Sequence, residues 1–587
     1  FTFFAEQAFE SFVIEVVGLH GDPNLYVNTN ASNGDPWPST TAYDLTSNTL
    51  NGETLVIRPG HTPLMNPMKQ GQVACRNCEY RLAVYAWAAE TEFFISVTSD
   101  RSVRLLSDGL PAIGEANTGP IPQSLTYFRY FVRTDIHPID IVLTPLSGNP
   151  SLFARFGCKP YALDNCNSSS VAGSQRPPGW RGDTTETMVY HTYSSTQDDG
   201  IEQIHLMPNG DADGGGEMGF CSPPCTLFIA VQAETDSSFS ILVTQRPTSL
   251  ITITDGVPQN GWAYGDDLHY YTVHMRSWAA SHGLLVSLSA LLGQPIVYWS
   301  NITGHFPTKD DYSLTGTPDE PLRLPAIAAN IEASYIFAIG SSDNLPARYS
   351  VTAQSGESAA VLVDGHPFSG EVLTGTVALY VITVPSDVPS PAVYVTALQG
   401  TIRLLVAIDE VAPGGRHQIP IESQATYSTT AAMRHPAVLP LTPGQANVIS
   451  VTHLHASTDS TRRASFTLLP VLRRSEAALL LDGYPQALYL SGCQAYLGCQ
   501  PPTALRFVAH GDHAISLSAS IVQSAGGLGS TGGNMPTLTL YASTQDTEPS
   551  RCTSGHCFVA TANHPGEAVR LSFPSNTLNC GEECTIH

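Results

Sequence analysis

Apolar and aromatic residues in this chain come in short runs, broken by Gly, Pro, Asn and Asp. One set is Tyr127-Phe128-Arg129-Tyr130-Phe131-Val132, His269-Tyr270-Tyr271-Thr272-Val273, Leu379-Tyr380-Val381-Ile382-Thr383-Val384 and Arg506-Phe507-Val508. Runs rich in aromatic and β-branched residues and bounded by turn formers predict strands. A second strand is expected at 139–143 and 284–288. A third follows a Gly-Pro turn at 21–27, 148–153 and 293–298, with looser copies at 400–404 and 534–541. A variable polar stretch leads to a half-buried alternation at 55–57, 204–206 and 569–573. The most apolar strand comes next, at 80–85, 226–231, 335–339 and 448–451. A closing strand is expected at 94–98, 239–244, 349–352 and 466–469. No useful length of chain carries the helical period, and this density of short strands and turns predicts β-sandwiches.

The order of these elements repeats, and a turn marks each recurrence. An apolar stub runs into Asp-Gly-x-Pro at Asp108-Gly109-Leu110-Pro111, Asp255-Gly256-Val257-Pro258, Asp364-Gly365-His366-Pro367 and Asp482-Gly483-Tyr484-Pro485. Spacings of 147, 109 and 118 residues are the size of whole domains rather than of solenoid coils or propeller blades. The expected architecture is all-β: five tandem jelly-roll-like or Ig-like sandwiches in a row, covering 1–100, 101–246, 247–356, 357–473 and 474–587. Short polar linkers are expected at the boundaries. Residues 1–4 align with the aromatic strand and 584–587 with the start of the most apolar strand. The first copy therefore lacks its opening segment and the last lacks its final strands, as in a window on a longer array or a subunit completed by its neighbours.

Composition narrows the function classes. The chain has 51 acidic and 27 basic residues and a net charge of −24, which repels nucleic acid phosphates and anionic lipid. No stretch reaches the apolar length needed to span a bilayer as a helix, so neither nucleic acid nor membrane insertion is expected. The 12 cysteines form close pairs: Cys75 with Cys78, Cys158 with Cys166, Cys221 with Cys225, Cys493 with Cys499, Cys552 with Cys557 and Cys580 with Cys584. Even numbers in short loops favour disulfides and an oxidising compartment over zinc, which needs four convergent ligands. The connectivity inside the second and fifth copies stays open. Asn30, Asn167 and Asn301 head N-x-S/T triplets, each shortly after the Gly-Pro strand, and are expected to carry N-linked glycans. With neither an initiator Met nor a leader, the chain reads as a processed or excised segment of an extracellular or cell-surface protein.

Gly21-Asp22-Pro23-Asn24-Leu25-Tyr26-Val27 resembles the Gly-Asp-x-Asp-Leu-Tyr-Val strand of the bacterial pre-peptidase C-terminal domain. The strands at 80–85 and 93–97 are similar to that family's final pair. The resemblance extends over nearly the whole chain in five copies. It implies a jelly-roll-like sandwich of secreted proteins, often accessory to a hydrolase.

Catalytic patterns are missing: the sequence has no Gly-x-Ser-x-Gly elbow, His-Glu-x-x-His, phosphate loop or dinucleotide fingerprint. No enzyme activity and no cofactor are expected. His453 and His455 share one face of a strand, and His510 and His513 flank a turn; both pairs read as surface histidines. Asn209, Asp211 and Asp213, with Glu217, imitate half of a calcium loop but lack its closing acid; a structural calcium site and a solvated acidic loop both fit. The leading functional reading is a non-enzymatic secreted glycoprotein, a structural subunit joined head-to-tail to copies of itself in an extracellular filament or surface appendage. Two others compete: an adhesin or carbohydrate binder using Trp37, Trp180, Trp262, Trp278 or Trp299, and the accessory region of a larger secreted hydrolase.

Overall fold

The computed structural model describes residues 1–5, 12–20, 23–28, 37–47, 52–57, 78–86, 91–99, 103–118, 125–132, 137–156, 193–195, 202–207, 225–233, 235–245, 249–275, 283–302, 304–326, 333–343, 345–356, 358–386, 388–409, 418–433, 435–454, 462–472, 478–482, 484–486, 505–510, 514–520, 539–544, 557–561, 568–574 and 583–586. The fold is all-β, with no helix among these residues. The strands fall where alternation and β-branched runs place them, because a pleated chain sends successive side chains to opposite faces.

The third copy shows the pattern in full. Its stub strand Leu250–Thr252 pairs parallel to the aromatic strand His269–Met275. The aromatic strand pairs antiparallel with the central, most apolar strand Ala333–Ser341, and that strand with the Gly-Pro strand Pro295–Trp299. Leu314–Gly316 completes this five-stranded sheet. A four-stranded sheet runs in the order Gln259–Ala263, closing strand Ala347–Ser355, second strand Leu284–Leu292, edge strand Leu322–Leu324. Chain order and sheet order differ throughout, so most neighbours in a sheet are distant in sequence.

The second and fourth copies repeat the same two sheets in the same order. In each copy the two sheets contribute to one buried cluster. In the second, Phe128, Leu152 and Ile229 of one sheet meet Ile141, Ile204 and Phe239 of the other. Thr2–Ala5 pairs with Cys78–Ala86, and Leu505–His510 with Glu583–Ile586. Both are the antiparallel aromatic-to-central pairing seen between Leu125–Val132 and Cys225–Ala233. Cys225, which opens that central strand, is disulfide-bonded.

A glycine recurs at the heart of the core. Gly114, Gly261 and Gly370 each lie in the strand after Asp-Gly-x-Pro, six residues beyond its Asp. A Cβ there would sit 2.5 Å from Phe239, 2.7 Å from the Tyr271 hydroxyl or 2.6 Å from the Tyr380 hydroxyl, respectively. The bare backbone makes room for an aromatic pair, one ring from the aromatic strand and one from the closing strand. These pairs are Phe128–Phe239, Tyr271–Tyr349 and Tyr380–Phe466, with centroids 6.1, 6.5 and 6.1 Å apart and edge-to-face. That geometry suits the ring quadrupoles. The aromatic residues are legible in the sequence; the glycine beneath them is a signal the sequence reading missed.

Candidate functional site at the joints between copies

The Asp-Gly-x-Pro turns are the points at which one copy is tied to the next. Gly256 donates its N–H to the Ala353 carbonyl in the closing strand of its own copy at 2.8 Å. Its carbonyl accepts the Val361 N–H from the stub of the following copy at 2.8 Å. Gly109 does the same between Val243 and Thr252, both at 3.0 Å. Gly365 does it between Pro470 and Leu479, at 2.9 and 2.8 Å. The glycine is required on two counts. Its φ is +72° at Gly109, +77° at Gly256 and +71° at Gly365, a region costly for residues with a Cβ. A Cβ on Gly109 or Gly256 would also lie 2.6 or 2.2 Å from the carbonyl oxygen of Leu250 or Ala359.

The aspartate completes the tie. Asp108, Asp255 and Asp364 each accept a backbone N–H two residues beyond the carbonyl that the glycine holds. The donors are Gln245 at 2.7 Å, Ser355 at 2.9 Å and Leu472 at 2.7 Å. These three amides sit where the closing strand ends, and the carboxylate supplies a charge-assisted acceptor. Two of the carboxylates also hold the serine just before the next stub: Asp108 accepts from the Ser249 hydroxyl and Asp255 from that of Ser358, at 2.7 and 2.6 Å. The motif thus locks the end of one copy and the start of the next in a fixed relation.

Side chains from the preceding copy close on the same region. The Asn260 N–H and the Gln259 Nε2 both donate to Thr144 Oγ1, at 2.9 and 3.2 Å. One copy further on, Ser289 Oγ donates to the Pro367 carbonyl at 3.4 Å. Arg104 in the second copy's stub pairs with Glu15 of the first copy at 2.6 Å. Between the third and fourth copies, buried Glu371 accepts from Arg323 at 2.6 and 2.9 Å and lies 3.4 Å from Arg463. Beyond these, Leu291 and Leu292 of the third copy share a buried cluster with Leu479, Leu481 and Val508 of the fifth. The Tyr484 hydroxyl donates to Asp319 at 2.6 Å. The third and fifth copies therefore touch directly at the joint around the fourth copy's motif.

An aromatic stack spans the joint of the second and third copies. The Arg348 guanidinium lies 4.3 Å over the Trp262 ring, which stacks on Tyr264 at 5.4 Å, and Tyr264 faces His205 at 6.4 Å. His205 Nδ1 is 2.5 Å from the buried Asp140 carboxylate. Trp299 is buried in its own core, whereas Trp37 is 55 % exposed beneath Arg81. The tryptophans thus occupy unlike positions, and Trp180 and Trp278 lie outside the described residues.

Among the other residues singled out from sequence, Asn301 is exposed at the end of the Gly-Pro strand, bonded to Ser313. Asn30, Asn167 and the acidic set Asn209, Asp211, Asp213 and Glu217 lie outside the described residues. So do Cys75, Cys158, Cys166, Cys221, Cys493, Cys499, Cys552 and Cys580, while Cys78, Cys557 and Cys584 lie on strands. No group of three or more His, Cys, Asp or Glu able to hold a metal ion occurs among the described residues. His453, read from sequence as a surface histidine, is buried, with Nδ1 2.9 Å from Thr374 Oγ1. The reason is that its central strand is covered at that end by the turn carrying Thr374. His455 and His513 are outside the described residues. No protein-family model matches the chain, and no curated protein matches it.

Proposed function

We propose that the chain is a non-enzymatic, secreted structural glycoprotein, a subunit of an extracellular filament or surface appendage. On this reading it consists of five tandem jelly-roll-like β-sandwiches with the boundaries expected from sequence, akin to pre-peptidase C-terminal domains, and joins head-to-tail with copies of itself. The observation that carries the reading is the threefold recurrence of one clamp. The same glycine bridges two copies at three successive joints, and the same aspartate holds the end of the closing strand. An enzyme or a receptor gains little from repeating a joint. A fibre under tension gains stiffness each time, because bending at a joint must break the backbone hydrogen bonds that cross it. The net charge of −24 supplies repulsion that keeps such subunits apart from unrelated surfaces.

The test is imaging and sedimentation of the native material. An elongated assembly, with an axial repeat comprising several sandwiches, is the expected result. A compact, discrete monomer at all concentrations would overturn the proposal.

A further inference from the structure

In the third copy, residues 300–302 and 304–313 of the loop after the Gly-Pro strand are held by several contacts. Phe306 packs edge-on against Tyr270 at 5.0 Å, and Tyr312 packs against Tyr298 at 5.4 Å. The Ser313 N–H reaches the Trp299 carbonyl at 2.7 Å, and Lys309 Nζ bridges Asp266 and the Gly265 carbonyl at 2.9 and 3.2 Å. Despite this order, the loop and the strand it enters keep four large apolar side chains in solvent. Ile302 is 59 % exposed, Phe306 46 %, Tyr312 47 % and Leu314 43 %. Four large apolar side chains exposed within one short stretch of chain are more than scattered single exposures and fit a surface that something covers.

Asn301 lies at the start of that stretch, bonded to its far end. Its N–H donates to Ser313 Oγ at 3.0 Å, and the Ser313 hydroxyl donates back to Asn301 Oδ1 at 2.9 Å. Ser313 is flanked in the chain by Tyr312 and Leu314, and Ile302 follows Asn301, so three of the four exposed side chains neighbour this pair. The second bond holds the side-chain carbonyl oxygen on Ser313, and Nδ2 has no hydrogen bond among the described residues. Asn301-Ile302-Thr303 is an N-glycan acceptor triplet.

We propose that the occupant of this patch is the chain's own sugar: an N-linked glycan on Asn301 whose first residues lie over Ile302, Tyr312 and Leu314. The inference rests on reading the chain as a secreted glycoprotein. Attachment forms a bond from Asn301 Nδ2 to the anomeric carbon of a polyprenyl-diphosphate-linked oligosaccharide. The bond from that carbon to the diphosphate breaks, the polyprenyl diphosphate leaves, and the amide nitrogen gives up one proton. A pyranose has an apolar C–H face that suits aromatic and branched side chains. Because the sugar is tethered beside them, its packing avoids the translational entropy cost that a free ligand bears. Ser313 acts as a positioning residue by holding the amide in one orientation.

The experiment uses the whole chain secreted from a glycosylating host, with glycopeptide mapping at Asn301. A bare Asn301 overturns both the inference and the glycoprotein reading at this site. If the site is occupied, the wild type is compared with Thr303→Ala, which removes this one sugar and leaves the Asn301–Ser313 contacts in place. The expected result is at least about a twofold rise in binding of an apolar surface dye, with faster amide exchange across 300–316. In a Tyr312→Ser background the same loss of sugar should change both readouts less. Equal dye binding and exchange with and without the sugar would overturn the packing while leaving glycosylation standing. So would a rise confined to self-association of the sugar-free chain, which would make a second copy the occupant. Enzymatic trimming of the folded wild type supplies the same comparison if the Thr303 variant is not secreted.

Discussion

The hydroxyl groups of Tyr271 and Tyr349 meet at 2.9 Å in the core of the third copy, over the bare Cα of Gly261. The fourth copy repeats the arrangement with one change. Tyr380 takes the place of Tyr271, but Phe466 takes the place of Tyr349, so the Tyr380 hydroxyl is buried without a hydrogen-bond partner. Burial also drives its pKa well above the ordinary tyrosine range.

Replacing these hydroxyls should therefore have opposite effects in the two copies. Tyr380→Phe removes an unpaired buried polar group and is expected to stabilise the fourth copy by about 1 kcal/mol. Tyr271→Phe removes the buried hydroxyl pair with Tyr349 and should destabilise the third copy by about the same amount. Amide exchange in the strands Val377–Thr383 and His269–Met275 reads the two copies separately. The same sign for both substitutions would contradict the pairing.

Gly256→Ala should loosen the third joint. The new Cβ meets the Ala359 carbonyl oxygen at 2.2 Å on a backbone with φ +77°, a combination expected to cost about 2–3 kcal/mol. The loss should appear first as faster exchange at Val361, whose N–H the Gly256 carbonyl accepts. Exchange at Val361 no faster than in the parent chain would remove the glycine from the joint.

Asp255→Ala removes two charge-assisted bonds, from the Ser355 N–H and the Ser358 hydroxyl. A local loss of about 2–3 kcal/mol is expected, against about 1 kcal/mol for Ser358→Ala. Limited proteolysis at 355–359 should become markedly faster in the aspartate variant. Digestion patterns that match the parent's would mean the carboxylate is dispensable.

Acid should weaken the fourth copy's joint through His366, the third residue of its motif. Burial and, secondarily, the Arg506 guanidinium of the fifth copy push this partly buried imidazole down to about 3. An unfolded histidine titrates near about 6.5, so between the two values the unfolded chain holds a proton that the folded chain does not. Stability is then complete above about pH 6.5 and falls as pH drops towards about 3. At pH 5 the loss should reach about 1–2 kcal/mol, and His366→Gln should abolish that part of it. Denaturation of the parent and the variant at pH 7.5 and pH 5 makes the comparison. An identical pH dependence in the two chains would exclude His366 as the source.

What the sequence determined by itself is local. Strand identity follows from side-chain alternation and β-branching, properties of a few neighbouring residues, so the aromatic run at 269–273 and the apolar run at 335–339 were legible as strands. The recurrence of Asp-Gly-x-Pro was equally plain, since it needs only self-comparison. The role of that motif was not legible. Gly256 and Asp255 act through Ala353, Ser355 and Val361, about 100 residues away, and no pattern within the motif encodes which distant strand ends will arrive beside it. For the same reason the sequence predicts short polar linkers between copies but gives no sign that the stubs of the third, fourth and fifth copies are hydrogen-bonded to the preceding copy's motif. Gly261 and its counterparts went unnoticed because their meaning depends on two rings delivered by two other strands. The contact between Leu291 and Leu479 lay further still from view, because it joins residues of the third and fifth copies with the whole fourth copy between them in sequence. Backbone propensity is written residue by residue; the joints exist only once long-range pairing has brought the ends of those strands together.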